Sequence, residues 1–496
     1  MSQDNTSDVQ AVEAFFTRVT GSFLNGAFVN EGKTREVLDP SNGQCLTTVL
    51  EGDKALAEQA VAQTKKSFDD RRWCDLSPAV RERILLRFAD LVEQHAEELA
   101  QIETLNQGKS IHISRAVDTG FSVDFIRYMA GWTTKLEGNT RNVSIGMPEG
   151  AKFNAYTLRQ PVGVVAAIVP WNFPMMIALW KVVPALAAGC SVVLKPASET
   201  PLSVLRLAEL AVEAGVPAGV FNVILGSGSV VGTCLSEHPD VHKVTFTGST
   251  AIGKQIGHAA VDRMAEFSLE LGGKNPMLVL EDADLDKAVN GALMSGLLNQ
   301  GQVCAAASRF YVHRSLHDEF CRRLCEAVDG MQAGPGIDPQ VHITPLVSRR
   351  QQESVLGFVE RAREQGANVH VGGSVPKEGY FVSPTIISGA SHSMEVAREE
   401  IFGPVLTVIP FDDVEDGLAM VNDSDMGLAA SLWTDSLSNA MRLTPRIEAG
   451  TVWVNTHVTL DPCLPFGGFK LSGIGKEFGP EAINAYTELK SVCIAY

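Results

Sequence analysis

Residues 161–196 read PVGVVAAIVPWNFPMMIALWKVVPALAAGCSVVLKP. Two short apolar runs, PVGVVAAIVP (161–170) and SVVLKP (191–196), stand at its ends. Neither alternates apolar with polar residues, so both fit strands covered on two faces, as in a parallel sheet. Working outward, VFNVILG (220–226) and HKVTFTGS (242–249) have the same character. Between them LSVLRLAELAVEA (202–214) has helical spacing and stops at Gly215 and Pro217. Strand and helix in alternation point to a parallel α/β sheet of the nucleotide-binding type. Upstream, residues 80–107 space Ile84, Phe88, Leu91, Val92, His95 and Leu99 three and four apart, which predicts an amphipathic helix.

A second alternating set follows: RFYVHR (309–314), helical Leu316–Met331, ANVHVGG (367–373), PVLTVIPF (404–411), helical Val414–Asn422, LAASLWT (428–434) and GTVWVN (450–455). Two α/β units meeting near 272, at ELGGKNP, account for this order and for the 496 residues, too many for one ordinary core. With 45% apolar and 20% charged residues the composition is that of a globular protein. A net charge of −17 opposes nucleic acid or an anionic membrane as partner. The most apolar run, Met175 to Leu194, is broken by Lys181 and Pro184, short of the roughly 20 apolar residues a membrane helix needs. Nine cysteines without a CxxC, behind a polar opening stretch MSQDNTSDVQ, lead to the expectation of a reduced, cytoplasmic protein without a signal peptide.

Phosphate has two candidate places. GSGSVVG (226–232) spaces its glycines GxGxxxG, one residue longer than the dinucleotide fingerprint. TGSTAIGK (247–254) leaves a strand, offers Gly248 for close backbone approach and Ser249 as an N-cap, and enters a helix whose free N–H groups attract an anion. A plain serine cap reads the same way. Glu270, in FSLELGGK, is either a carboxylate whose pKa burial raises into the range of a general base, or a core glutamate paired with Lys274. Asn172, in PWNFP, is either an amide held rigidly for an oxyanion or an ordinary turn residue. Cys304, in NQGQVCAAASR (299–309), has no histidine nearby, and a core thiol and a nucleophile both fit its small neighbours. Cys321 and Cys325 share a helix with His317 but lack a fourth ligand, so no metal is expected.

PWNFP, KPASETP, FTGSTAIG, LELGGKNP, GQVCAAASR, EEIFGPV and PFGGFKLSGIGKE occur in one chain in an order and spacing that resemble the NAD(P)-dependent aldehyde dehydrogenase superfamily, over roughly residues 25–490. The closing PFGGFKLSGIGKEFG and SVCIAY also look like the phenylacetaldehyde dehydrogenases of bacterial aromatic degradation. The resemblance implies two Rossmann-like domains and a small β extension for oligomerisation. The expected limits are 1–140 with 161–272 for the NAD(P)-binding domain, 273–472 for the catalytic domain, and 141–160 with 486–496 for strands that pair across a homodimer or homotetramer. It also implies Cys304 as the nucleophile toward an aldehyde, Asn172 and the Cys304 backbone N–H as oxyanion donors, and Glu270 as the base that activates water. Glu477 matches a proton-relay position and Lys181 the lysine of a WK pair; a solvated helix-start glutamate and a snorkelling lysine are the competing accounts.

For the cofactor, the resemblance places Lys195 at the adenosine ribose, Gly226 near the adenine, Ser249 with Gly248 at the pyrophosphate, Glu400 at the nicotinamide ribose and Phe402 beside the ring, with Trp171 and Leu271 in the same site. NAD-specific members often carry an acid three residues after the lysine. This chain has Ser198 there and Glu199 next, so NAD is expected with NADP use possible. Phe173, Met176, Ile177, Trp180 and Phe466 would line a funnel for an apolar aldehyde such as phenylacetaldehyde, or an aliphatic one of similar bulk. Two rival readings are an acyl hydrolase pairing Cys304 with His457, and a non-catalytic NAD-binding protein of the same fold.

Overall fold

The apolar runs become the strands Val164–Ile168, Ser191–Lys195, Phe221–Val223 and Lys243–Thr247, with Glu266–Glu270 as a fifth parallel strand. Every residue of Val164–Ile168 and Ser191–Lys195 is buried. Val165, Ala167, Val192 and Leu194 enter one core with the helices Pro174–Ala188 and Leu202–Ala214, whereas Val164, Ala166, Ile168 and Val193 enter another with Lys54–Asp69. Covering on both faces is why these strands show no polar alternation. In chain order the five strands lie third, second, first, fourth, fifth. The order therefore reverses between Val164–Ile168 and Lys243–Thr247, which pair directly from Val165–Lys243 to Ile168–Phe246. A crevice opens beyond the carboxyl ends of strands at such a reversal, and ligands bind there.

This computed structural model describes residues 4–496, with side chains from residue 8 onward; the first three residues of the polar opening stretch lie outside the described residues. A second sheet orders Asn368–Val371, Thr385–Ser388, Val405–Phe411, Ala307–His313, Asn275–Val279, Ala429–Trp433 and Thr451–Val454, all parallel except its first pair. The chain passes from the first sheet to the second between Glu270 and Asn275, and Gly473–Ile474 later returns to the first sheet against Leu269–Glu270. Thr487–Ala495, Phe153–Pro161 and Thr140–Arg141 form a separate antiparallel sheet. The hairpin Lys33–Leu38/Cys45–Glu51 is a two-stranded sheet near the amino end, with Val37 and Val49 in the main core.

Leu202–Ala214 is a helix as its spacing predicts, closed by Gly215 at φ 109°. The single helix expected over 80–107 is two, Pro78–Gln94 and Ala96–Gln107, parted at His95. No glycine or proline marks that break. His95 is half-buried and meets Glu98, which is itself held by Arg206 of another helix, so a tertiary contact fixes the bend. Among the described residues no helix is long and apolar enough to cross a membrane. Lys181 sits in the helix Pro174–Ala188 fully buried, which excludes the snorkelling account.

Candidate active site

The loop before Cys304 is left-handed at three consecutive residues, Asn299 (φ 47°), Gln300 (φ 55°) and Gly301 (φ 71°). Asparagine tolerates that region and glutamine less so. Glycine is required at 301, since a Cβ there would lie 2.2 Å from the Gly403 carbonyl oxygen. Amide side chains hold the loop. Asn299 Nδ2 donates to the Asn172 carbonyl at 3.0 Å, Gln302 Nε2 to the Asn299 carbonyl at 3.1 Å, and Gln300 Nε2 to the His342 carbonyl at 3.0 Å. Asn275 then clamps the cysteine itself, donating through Nδ2 to the carbonyls of Cys304 at 2.7 Å and Ala306 at 2.9 Å while accepting from Ala429 N–H.

His457 is spoken for. Its Nε2 donates to the Ala305 carbonyl at 2.8 Å and its Nδ1 meets Ser431 Oγ at 2.8 Å. Burial pushes its imidazole down to about 4, which keeps it neutral. Both nitrogens are engaged beside the cysteine rather than on it, which removes the geometric basis of the Cys–His hydrolase reading.

Cys304 and Asn172 both line a cavity of about 190 Å³ at the strand-order reversal, together with Trp171, Gly248, Ser249, Leu271, Glu400 and Phe402. Asn172 Nδ2 donates one hydrogen to the Gln302 carbonyl at 2.9 Å. An amide nitrogen carries two, so the orientation is fixed and a second donor is left over. Burial, and then the nearby carboxylates of Glu270 and Glu400, push the Cys304 thiol up to about 12, while the backbone N–H groups of Cys304 and Ala305 act in the opposite sense. The resting form is therefore the thiol, and a base must take its proton.

Glu270 ends its strand with Oε2 buried and without a hydrogen-bond partner. Desolvation, and next the charge of Glu477, raise its carboxyl well above the ordinary range, against the pull of Lys181 and Lys476. It does not pair with Lys274, whose amine is buried without a partner and pushed down to about 7 by burial. Glu477 is buried and pairs with Lys181 Nζ at 2.6 Å; Lys181 also donates to Thr245 Oγ1 at 3.2 Å. This replaces the solvated helix-start reading of Glu477. Glu400 accepts from Gly273 N–H at 3.0 Å, and although it faces the cavity, the walls around it desolvate its carboxyl up to about 7.

On the other side of Cys304 lies a cavity of about 330 Å³ walled by Phe173, Met176, Ile177, Trp180 and Phe466, and also by Phe121. Phe121 comes from a π-helical turn, Ser114–Phe121, that periodicity does not announce. Phe478 backs Trp180 edge-on at 4.7 Å and closes the aromatic wall. A third cavity, of about 560 Å³, is lined by Lys195, Gly228, Ser229, Gly232 and Phe246. Gly226, expected at this place, is not in the lining. It lies beneath the turn, where a Cβ would meet Val231 at 2.4 Å, and the glycines that reach the cavity are Gly228 and Gly232. Ser249 caps the helix Thr250–Asp262, and Trp171 stacks edge-on with Phe402 at 5.3 Å. Gln351 also lines the cavity of about 190 Å³ and donates through Nε2 to the Phe402 carbonyl at 2.9 Å. The sequence does not single out Asn299, Gln300, Gln302, Asn275 or Gln351; the density of amides just before the cysteine is the one available sign, and it covers only the first three.

The sequence pattern of the aldehyde dehydrogenase family matches residues 28–492. A phenylacetaldehyde dehydrogenase of Pseudomonas fluorescens is 47% identical over 478 residues, covering 95% of each chain. A mitochondrial aldehyde dehydrogenase of Leishmania tarentolae is 43% identical, covering 95% of this chain and 94% of its own. Among solved structures, the NAD+ complex of an aldehyde dehydrogenase from Bacillus cereus superposes with a TM-score of 0.94 at 41% identity, covering 98% of each chain. The residues present fit that cofactor. Gly272 is bare where a Cβ would lie 2.2 Å from Glu400 Oε2, so the carboxylate has room to face the cavity. Lys195 stands in the larger cavity at the end of its strand, on the side where a dinucleotide's second half would lie.

Proposed function

The chain belongs to the aldehyde dehydrogenase family, and from that premise we propose that this NAD-dependent enzyme oxidises an apolar, aryl-substituted aldehyde, phenylacetaldehyde to phenylacetate, through a covalent adduct on Cys304. The observation that carries the reading is that Cys304 is a shared wall, lining both the aromatic cavity of about 330 Å³ and the cavity of about 190 Å³ that holds Glu400 and Phe402. Favoured by the backbone N–H groups of Cys304 and Ala305, the thiol gives its proton to water, and the thiolate adds to the aldehyde carbon to make a tetrahedral thiohemiacetal. The free N–H of Asn172 and the Cys304 backbone N–H are the donors for its oxyanion. Lys195, Ser249, Glu400 and Phe402 hold NAD, which when bound supplies the two-electron acceptor for the oxidation. Glu270, unpartnered and shifted upward, takes the proton of the water that hydrolyses the resulting thioester. Lys181 and Glu477 set the charge around Glu270 and offer its proton a way out.

The aryl preference is supported by Phe121, Phe173, Trp180 and Phe466 around one cavity and by the relative from Pseudomonas fluorescens. The same proposal includes a homo-oligomer. Strand Thr487–Ala495 is the outer strand of its sheet, with Leu489 and Ile494 exposed, and an open apolar edge of this kind calls for a partner. The test is NADH formation with a panel of aldehydes. Phenylacetaldehyde is expected to give the highest kcat/KM, and Cys304→Ala to abolish turnover while still binding NAD. A straight-chain aldehyde turned over more efficiently would overturn the substrate class, and turnover by Cys304→Ala would overturn the nucleophile.

A further inference from the structure

The position three residues after Lys195, where NAD-specific members of the resembled superfamily often carry an acid, is Ser198 in this chain. A carboxylate reaches it from elsewhere in the fold. Ser198 Oγ donates to Glu51 Oε1 at 2.5 Å, in the range of a charge-assisted O–H···O⁻ bond. Glu51 closes strand Cys45–Glu51 of the amino-end hairpin, 147 residues away in sequence. Glu199, the neighbouring acid, is exposed. Lys195, one wall of the cavity of about 560 Å³, is within the field of this cluster: burial pushes its amine down to about 8, Glu199 and Glu51 act upward, and Arg35 acts downward. Arg35 approaches the same carboxylate, its Nε 3.7 Å from Glu51 Oε1 and without a hydrogen-bond partner.

A hydroxyl has one hydrogen to give. Glu51 Oε1 at 2.5 Å holds it far more closely than the Gly226 carbonyl at 3.4 Å, so Ser198 is left to accept. An acceptor suits a ribose 2′-hydroxyl, which can donate, and mismatches a 2′-phosphate, which at neutral pH offers acceptors and negative charge. The Glu51 carboxylate adds repulsion of that charge. We propose that Glu51, acting through Ser198, is the residue that selects NAD over NADP in this chain. The inference rests on NAD being the cofactor and is independent of which aldehyde is oxidised. Neutralising Glu51 returns the Ser198 hydrogen and releases Arg35, both of which favour a phosphate.

The test is equilibrium titration of the full-length protein with NAD and NADP, followed by tryptophan fluorescence without any aldehyde. The unmodified protein is expected to bind NAD at least tenfold more tightly than NADP. In Glu51→Gln the ratio Kd(NADP)/Kd(NAD) is expected to fall by about tenfold or more. Glu51→Asp, which keeps the charge, is expected to retain most of it, and Ser198→Glu in the Glu51→Gln background to restore it. Ser198→Ala offers a second reading if Glu51→Gln does not fold, because loss of the acceptor lowers NAD affinity alone. A ratio that stays within about twofold in Glu51→Gln or in Ser198→Ala, or an unmodified protein that binds both cofactors equally, overturns the proposal. Cofactor binding without oxidation of any aldehyde would instead count against the proposed function.

Discussion

Lys181→Met isolates the charge that surrounds the proposed base. The Lys181 amine is fully buried and 2.6 Å from Glu477, itself 4% exposed. Methionine keeps much of the stem and removes the cation, leaving a buried carboxylate without its ion-pair partner. Breaking one side of a buried pair costs about 3–5 kcal/mol. The free energy of unfolding of the full-length protein is therefore expected to fall by about 3–5 kcal/mol. Adding Glu477→Gln is expected to recover most of it. The same substitution acts on the rate. The Lys181 cation holds the Glu270 carboxyl down, so its removal raises that carboxyl further. A base works deprotonated, so the acid limb of kcat against pH moves to higher pH. A Lys181→Met protein as stable as its parent, or an unmoved acid limb, would refute this account.

Glu270→Gln is expected to form about one NADH per subunit in a burst and then stall, slowed about 10²–10⁴-fold in steady state. Mass spectrometry of the quenched protein then finds an acyl group on the peptide bearing Cys304; acid release at the parental rate would remove Glu270 from the role of base. Asn172→Ala is expected to lower kcat about 10²–10³-fold, the usual effect of losing one oxyanion donor, with NAD affinity retained on titration. Parental kcat in that variant would assign the oxyanion to other donors.

The parallel sheet was legible because burial on two faces leaves a local trace: Val164–Ile168 and Ser191–Lys195 carry no polar alternation, and Gly215 marks its helix end by its φ. Val414–Asn422 is a helix with the limits its spacing predicts. The break at His95 left no such trace, since no glycine or proline stands there and His95 instead meets Glu98 by a side-chain hydrogen bond. The same division runs through the site. Cys304, Asn172 and Glu270 stand out by residue type in small or apolar settings, and the fold brings the first two onto one cavity. Asn299, Gln302 and Asn275 did not stand out, because amides are common in loops and their importance here is whom they reach: Asn172 and Cys304, across 127 and 29 residues.

By itself, then, the sequence determined a strand-and-helix order with a strand-end crevice, a lone thiol, and a short list of polar residues beside it, all of which depend on neighbours within a few positions. Only the tertiary structure decided that Lys181 and Glu477 are a buried pair rather than two surface charges, that Glu270 lacks a partner, and that Ser198 leans on Glu51. Desolvation and Coulomb energy depend on distance in space, and those distances arise between residues far apart along the chain.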